Sequence, residues 1–314
     1  MKYIIAILLL FISAISFAQK NIVPRDTTFT LNGTFIKEQK KRPYIIIASP
    51  KPNDNVLVKK DIVFKTIKER ELLLDVYYSK HTNKHKPAVL LIFGGGWRSG
   101  NKSQNDAMAT ELVNRGYVAV SAEYRLSLEA SYPAAVYDLK TAIKWMKANA
   151  KIYGIDTNKI ATLGVSAGGQ LSALIGTTNG ITHFEDILGN KGVTSNIHAV
   201  IDIDGILAFH HPQSTESAIA AQWLGGTFEQ QPTIWKEASA LEHTNQQTVA
   251  VLFLNSSNPR FHAGRDDMIK KLDSLHIYSE VHTFEDTPHP FWFFHPWFNP
   301  MMDYIDGFLK KQFK

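Results

Sequence analysis

The chain has 314 residues, of which 44% are hydrophobic and 20% charged, and its 34 Lys+Arg against 29 Asp+Glu give a formal charge of +5. That composition is ordinary for a folded protein and argues against a disordered chain, a collagen-like repeat and a polytopic membrane protein. The absence of Cys excludes disulfides, thiol nucleophiles, iron–sulfur clusters and Cys-ligated zinc.

Met1-Lys2, the apolar run 4–13 and Ser16-Phe17-Ala18 before Gln19 have the pattern of a cleavable secretory leader, cut after Ala18. The apolar stretch is shorter than the roughly 20 residues that span a bilayer. A secreted or periplasmic protein without a stable membrane anchor is therefore expected. Residues 19–60 read as an irregular extension with one strand-like piece at 44–48. Basic runs such as Lys40-Lys41-Arg42 and Lys59-Lys60 read as solvated faces rather than a nucleic-acid patch. A mildly basic surface also suits an anionic polymer such as pectin.

Regular structure is predicted from residue 61 to 314. Residues 61–67 and 71–78 suit a hairpin. Residues 88–93 form a continuous apolar run, as a buried parallel strand does, and end in Gly94-Gly95-Gly96. Helix signals then fall at 106–115, 134–150, 167–176, 265–274 and 301–311. Strand signals fall at 117–122, 159–164, 199–203, 248–254 and 279–284. The alternation predicts an α/β fold with a mostly parallel sheet. The stretch 205–245 breaks it and is expected to form a partial cap.

Gly164-Val165-Ser166-Ala167-Gly168 lies between a strand and a helix. A Gly-x-Ser-x-Gly turn there exposes its Ser in a strained conformation at a helix start. This makes Ser166 the candidate nucleophile. Gly94-Gly95-Gly96 follows an earlier strand. Its backbone N–H groups, from Gly95 and Gly96, would join that of Ala167 in an oxyanion hole. No Gly-Lys-Ser/Thr follows the glycines, so a phosphate loop is the poorer reading. No His spacing suggests a metal site, and no cofactor is expected.

These motifs, with Glu123-Tyr124-Arg125-Leu126, Tyr132-Pro133-Ala134-Ala135, Asp138 and Pro288-His289, resemble α/β-hydrolase fold serine esterases of the acetyl-xylan/feruloyl and hormone-sensitive-lipase-like groups. The resemblance spans residues 61–314. Phe93 stands where the lipase-like group has His. The resemblance implies a base on the loop after the last strand, which makes it His289. It places the triad acid after the strand ending near Leu254, where this chain has Asn255-Ser256-Ser257. Two replacements are open: Asp204, preferred, at the end of the preceding strand, and Asp266.

The expected activity is hydrolysis of small acyl esters, foremost acetyl, on plant polysaccharide. Pectin methyl or feruloyl ester hydrolysis is an alternative, and so is a non-catalytic carbohydrate-binding relative. Trp97, Arg260 and Trp292 are candidate substrate contacts. An Arg beside the base suits a uronate carboxylate. The aromatic run 291–298 suits either sugar stacking or core packing.

Overall fold

In the computed structural model, which describes residues 26–51, 53–81, 85–186, 192–215 and 217–314, the first described element is a helix where an irregular extension is expected. The leader predicted at 1–18 lies outside the described residues. Helix α1 (Leu31–Gln39) is capped by Thr30, whose hydroxyl accepts the Gly33 N–H at 3.0 Å. A polar sequence with a glycine in its first turn gives a weak helical period. Docking of Phe29, Leu31 and Phe35 on the domain supplies the missing stability. Strand β1 (Ile46–Ile47) follows, then the hairpin β2 (Val56–Ile67) and β3 (Arg70–Ser79).

The core alternates as expected. Strand β4 (Lys86–Ile92) leads to α2 (Asp106–Asn114), β5 (Val118–Ala122), α3 (Ala134–Ala148) and α4 (Ala150–Tyr153). Next come β6 (Ile155–Val165), α5 (Ala167–Thr177) and β7 (Ala199–Ile203). The segment between β7 and β8 holds three short helices, α6 (Ser217–Leu224), α7 (Pro232–Glu237) and α8 (Ala240–His243). The chain closes with β8 (Ala250–Ser256), α9 (Arg265–Ser274), β9 (Ser279–Phe284), β10 (Phe294–His295) and α10 (Phe298–Gln312). Among the described residues no helix is long and apolar enough to cross a membrane.

Eight strands form one sheet in the order β2-β3-β5-β4-β6-β7-β8-β9. β2, β3 and β5 pair antiparallel, and every later pairing is parallel. Successive strand side chains point to opposite faces, so Leu90 and Ile92 join one core while Val89 and Leu91 join the other. From β4 the chain runs to β5 on one side and returns as β6 on the other. Loops diverging from such a switch point leave a crevice at the carboxyl ends of the strands. The glycine loop after β4 and the turn after β6 both border it.

The aromatic run 291–298 has a structural use. β1 pairs with β10, the Ala48 N–H donates to the Phe293 carbonyl at 2.8 Å, and Phe29 and Phe35 meet Phe293 and Phe294. The run is thus the seat of the N-terminal extension.

Candidate active site

Ser166 sits at the sharp turn from β6 into α5 with φ 55° and ψ −121°, a conformation that costs energy for a residue with a Cβ. The flanking glycines permit it. A Cβ on Gly164 would overlap the Gly168 carbonyl, and one on Gly168 would overlap that of Ile92. The Ser166 N–H is satisfied by the Ile203 carbonyl at 2.8 Å. The hydroxyl is left to project into the crevice at the helix start, where backbone N–H groups lack partners.

His289 lies on the loop after β9. Its Nε2 is 2.9 Å from Ser166 Oγ and its Nδ1 is 2.8 Å from Asp204 Oδ2. An ionised carboxylate only accepts, so Nδ1 carries the ring proton and Nε2 accepts from the serine. The imidazole is clamped between Phe261, stacked at 3.3 Å between centroids, and the edge of Trp292 at 5.1 Å. Asp204 ends β7 with a fully buried carboxylate. Its second oxygen accepts the Ser256 N–H at 2.7 Å, and its own N–H bonds the Leu254 carbonyl. The acid therefore reaches the same strand end that the resemblance favours, but from the neighbouring strand.

Asp266 does not enter the site. It is exposed in the first turn of α9, where its carboxylate accepts from Arg265 at 2.8 Å. Asp202, on β7 below the site, is a different case. Its Oδ1 accepts the Gly205 N–H at 2.8 Å, while Oδ2 has no partner among the described residues. Burial, with the nearby Asp204 charge, pushes its carboxyl well above the usual carboxylate range, against the pull of the Gly205 N–H.

A cavity of about 30 Å³ opens at Ser166, bordered by Gly96, Trp97, Ala167, Asp204, Ile206 and Phe261. Gly96 and Ala167 thus meet at the nucleophile as expected. Gly95 sits beside Gly96 in the same loop, its carbonyl accepting from the Arg98 and Ser99 N–H groups at 3.3 and 3.0 Å. Phe93 stacks on Tyr124 at 4.4 Å, and the Tyr124 hydroxyl donates to the Phe93 carbonyl at 2.9 Å. This pair holds the glycine loop from behind. Trp97 is seated by stacking on Trp223 and by its N–H, which donates to Gln170 Oε1 at 2.9 Å. Gln170 in turn donates to the Ala238 carbonyl between α7 and α8 at 2.8 Å.

Trp292 is 1% exposed and supports the His289 ring, so the expectation of a substrate contact there is corrected. The short helical turn 291–293 drops its indole into the core. Arg260 does face solvent beside the base. Its guanidinium lies 4.2 Å over Phe261, and the two residues border a groove of about 520 Å³ that also touches His289. Ile206, Phe261 and Gln170 were not apparent from the sequence. Phe261 had a usable signal, its place next to Arg260 on the loop expected near the base. Ile206 and Gln170 are ordinary core residues by pattern.

Comparison with known proteins shows the fold and the family. The chain is 33% identical over 193 residues to "Esterase LipC" of Mycobacterium tuberculosis, covering 59% of this chain and 47% of that one. It spans less than half the length of the curated relatives it matches first. A truncated carbohydrate esterase from gut microbiota superposes with a TM-score of 0.71 at 24% identity, covering 84% of this chain and 99% of that one. An esterase of Thermogutta terrifontis, solved with propionate, superposes with a TM-score of 0.67 at 23% identity, covering 82% and 94%. The fold is that of the α/β hydrolases. The BD-FAE family model matches residues 74–279, a span that holds the glycine loop, Ser166 and Asp204 and stops short of His289, and the chain belongs to the BD-FAE family.

Proposed function

We propose that the protein is an exported serine esterase that removes acetyl groups from plant polysaccharide. The observation that carries this reading is the unbroken relay Ser166–His289–Asp204, at 2.9 and 2.8 Å, beside a cavity of about 30 Å³. In this reading Ser166 Oγ attacks the ester carbonyl while His289 Nε2 takes its proton. The N–H groups of Gly96 and Ala167 meet the oxygen as its charge develops. The proton then passes from Nε2 to the leaving alcohol, and a water repeats the sequence on the acyl enzyme. Asp204 holds the ring tautomer and stabilises the imidazolium. Nucleophile, base and oxyanion donors all come from the chain, and the ester carbonyl is the electrophile, so the reaction calls for no cofactor.

The cavity supports acetyl over longer acyl groups. At about 30 Å³ it is far smaller than the roughly 300–1,000 Å³ of a site that encloses a drug-sized ligand, which favours a short acyl group over a feruloyl one. Export rests on the leader pattern at 1–18. The relatives named as esterases, and the structural neighbour named as a carbohydrate esterase, agree with the ester chemistry.

The test is hydrolysis of p-nitrophenyl acetate, butyrate and hexanoate beside Ser166→Ala, with acetate release from acetylated xylan and pectin. Acetate turnover well above butyrate, abolished in the variant, is the expected result. Equal rates in wild type and variant would remove the esterase reading. Preference for hexanoate would remove the acetyl assignment.

A further inference from the structure

An ester bound at Ser166 has two ends, and the structure gives them different surroundings. The acyl end belongs with Gly96 and Ala167 in the small cavity. The alcohol end must lie toward His289, because Nε2 returns the proton to the leaving oxygen. His289 borders the groove of about 520 Å³, and Phe261 stands between the groove and the small cavity, lining both. The groove has the size of a ligand site, within the usual range of about 300–1,000 Å³.

One wall is helix α1 and the turn that follows it, and that wall carries a net positive charge. Lys37, Lys41, Arg42 and Arg260 line it against the carboxylate of Glu38 among the described residues. Arg42 is matched by Glu38 at 3.2 Å and by Asp286 at 3.4 Å. The excess charge sits first on Lys37 and Lys41, both exposed. Arg260, which donates to Thr215 at 3.3 Å, adds a planar fork at the mouth that suits carboxylates. A concave wall of one sign concentrates ligands of the other.

We infer that this groove binds the alcohol portion of the ester as an anionic glycan, a chain bearing uronate carboxylates, and that the N-terminal extension supplies its docking surface. The inference builds on the esterase reading, since that reading orients the ester. Binding itself needs no turnover, so it is tested apart from activity.

The experiment titrates the full chain by calorimetry with trigalacturonate, which carries no ester, and with neutral xylotriose. The titrations are run at low and high NaCl and repeated on Lys37→Glu/Lys41→Glu. Trigalacturonate is expected to bind, and to weaken by about tenfold or more both in high salt and in the double variant. Xylotriose is expected to bind more weakly and to be indifferent to both changes. Equal affinity for the two sugars, affinity insensitive to salt and substitution, or no binding of trigalacturonate would each overturn the inference. Should the double variant melt early, the salt series and the neutral probe on the wild type decide alone. Absent p-nitrophenyl acetate hydrolysis removes the esterase reading and leaves this titration standing.

Discussion

Asp204→Asn separates the two candidate acids and can be worked through atom by atom. One carboxylate oxygen accepts the Ser256 N–H at 2.7 Å and the other faces His289 Nδ1 at 2.8 Å. In the variant the amide oxygen stays on Ser256, because an NH₂ there would set two donors face to face. The amide nitrogen then donates to Nδ1, which drives the ring proton to Nε2. That nitrogen is 2.9 Å from Ser166 Oγ and no longer accepts. Reversing the amide leaves a buried donor unsatisfied, at about 1–3 kcal/mol. It also replaces a charged partner of the imidazolium by a neutral one, at about 1–2 kcal/mol more. Together these reach about 2–5 kcal/mol, or roughly a 30- to 5,000-fold loss of kcat. The assay is p-nitrophenyl acetate hydrolysis at saturation, with Ser166→Ala as the floor and Asp266→Asn alongside. Asp266→Asn should stay within about twofold of wild type, as surface substitutions usually cost little. Asp204→Asn retaining more than a third of kcat, or Asp266→Asn losing as much, would refute the reasoning.

Ile206→Ala enlarges the acyl cavity, and the butyrate-to-acetate ratio of kcat/KM should rise about tenfold or more, as one methylene is worth about 1–3 kcal/mol in such a pocket; an unchanged ratio would place the acyl chain elsewhere. Gln170→Leu strips the Trp97 N–H and the Ala238 carbonyl of their partner, and urea unfolding should register a loss on the order of 1–3 kcal/mol for each group left unsatisfied, a wild-type midpoint counting against the contact. The raised pKa of Asp202 means that the folded chain keeps a proton the unfolded chain has released above about pH 4. Stability should therefore fall as pH rises toward the folded pKa, by up to about 1.4 kcal/mol per pH unit for this group. Asp202→Asn should flatten that slope in urea midpoints taken between pH 4.5 and 8, and parallel curves for the two proteins would show that Asp202 is ionised in the fold.

Ser166 and the sheet were legible because each rests on a local pattern, and His289 followed from the resemblance. Gly164 and Gly168 announce the turn, and the apolar runs of β4 to β8 announce strands buried on both faces. Asp204 was harder, because two strand ends are adjacent only once β7 and β8 pair, and the sequence does not state pairings. The acyl wall was illegible for a related reason. Ile206 looks like any apolar residue after a strand, and its place over Ser166 depends on how the chain leaves β7. Helix α1 was missed because its stability comes from aromatics some 260 residues away rather than from its own period. Trp292 shows the converse. A dense aromatic run invited a sugar-stacking role, yet its neighbours are the extension and the base.

The seating of the extension on that run sets an order of assembly. Arg42 holds the backbone and side chain of Asp286 across 244 positions, and Ile46–Ile47 pairs with Phe294–His295. A chain is made from its amino end, so residues 26–51 exist long before the segment 286–295 that they hold. Closing so long a loop is entropically costly and slow, and it comes after the local contacts have formed. The segment that carries His289 is thus tied down by residues made well before it. The loop that carries His289 therefore takes its final seat only after residues 26–51 and 286–295 have met.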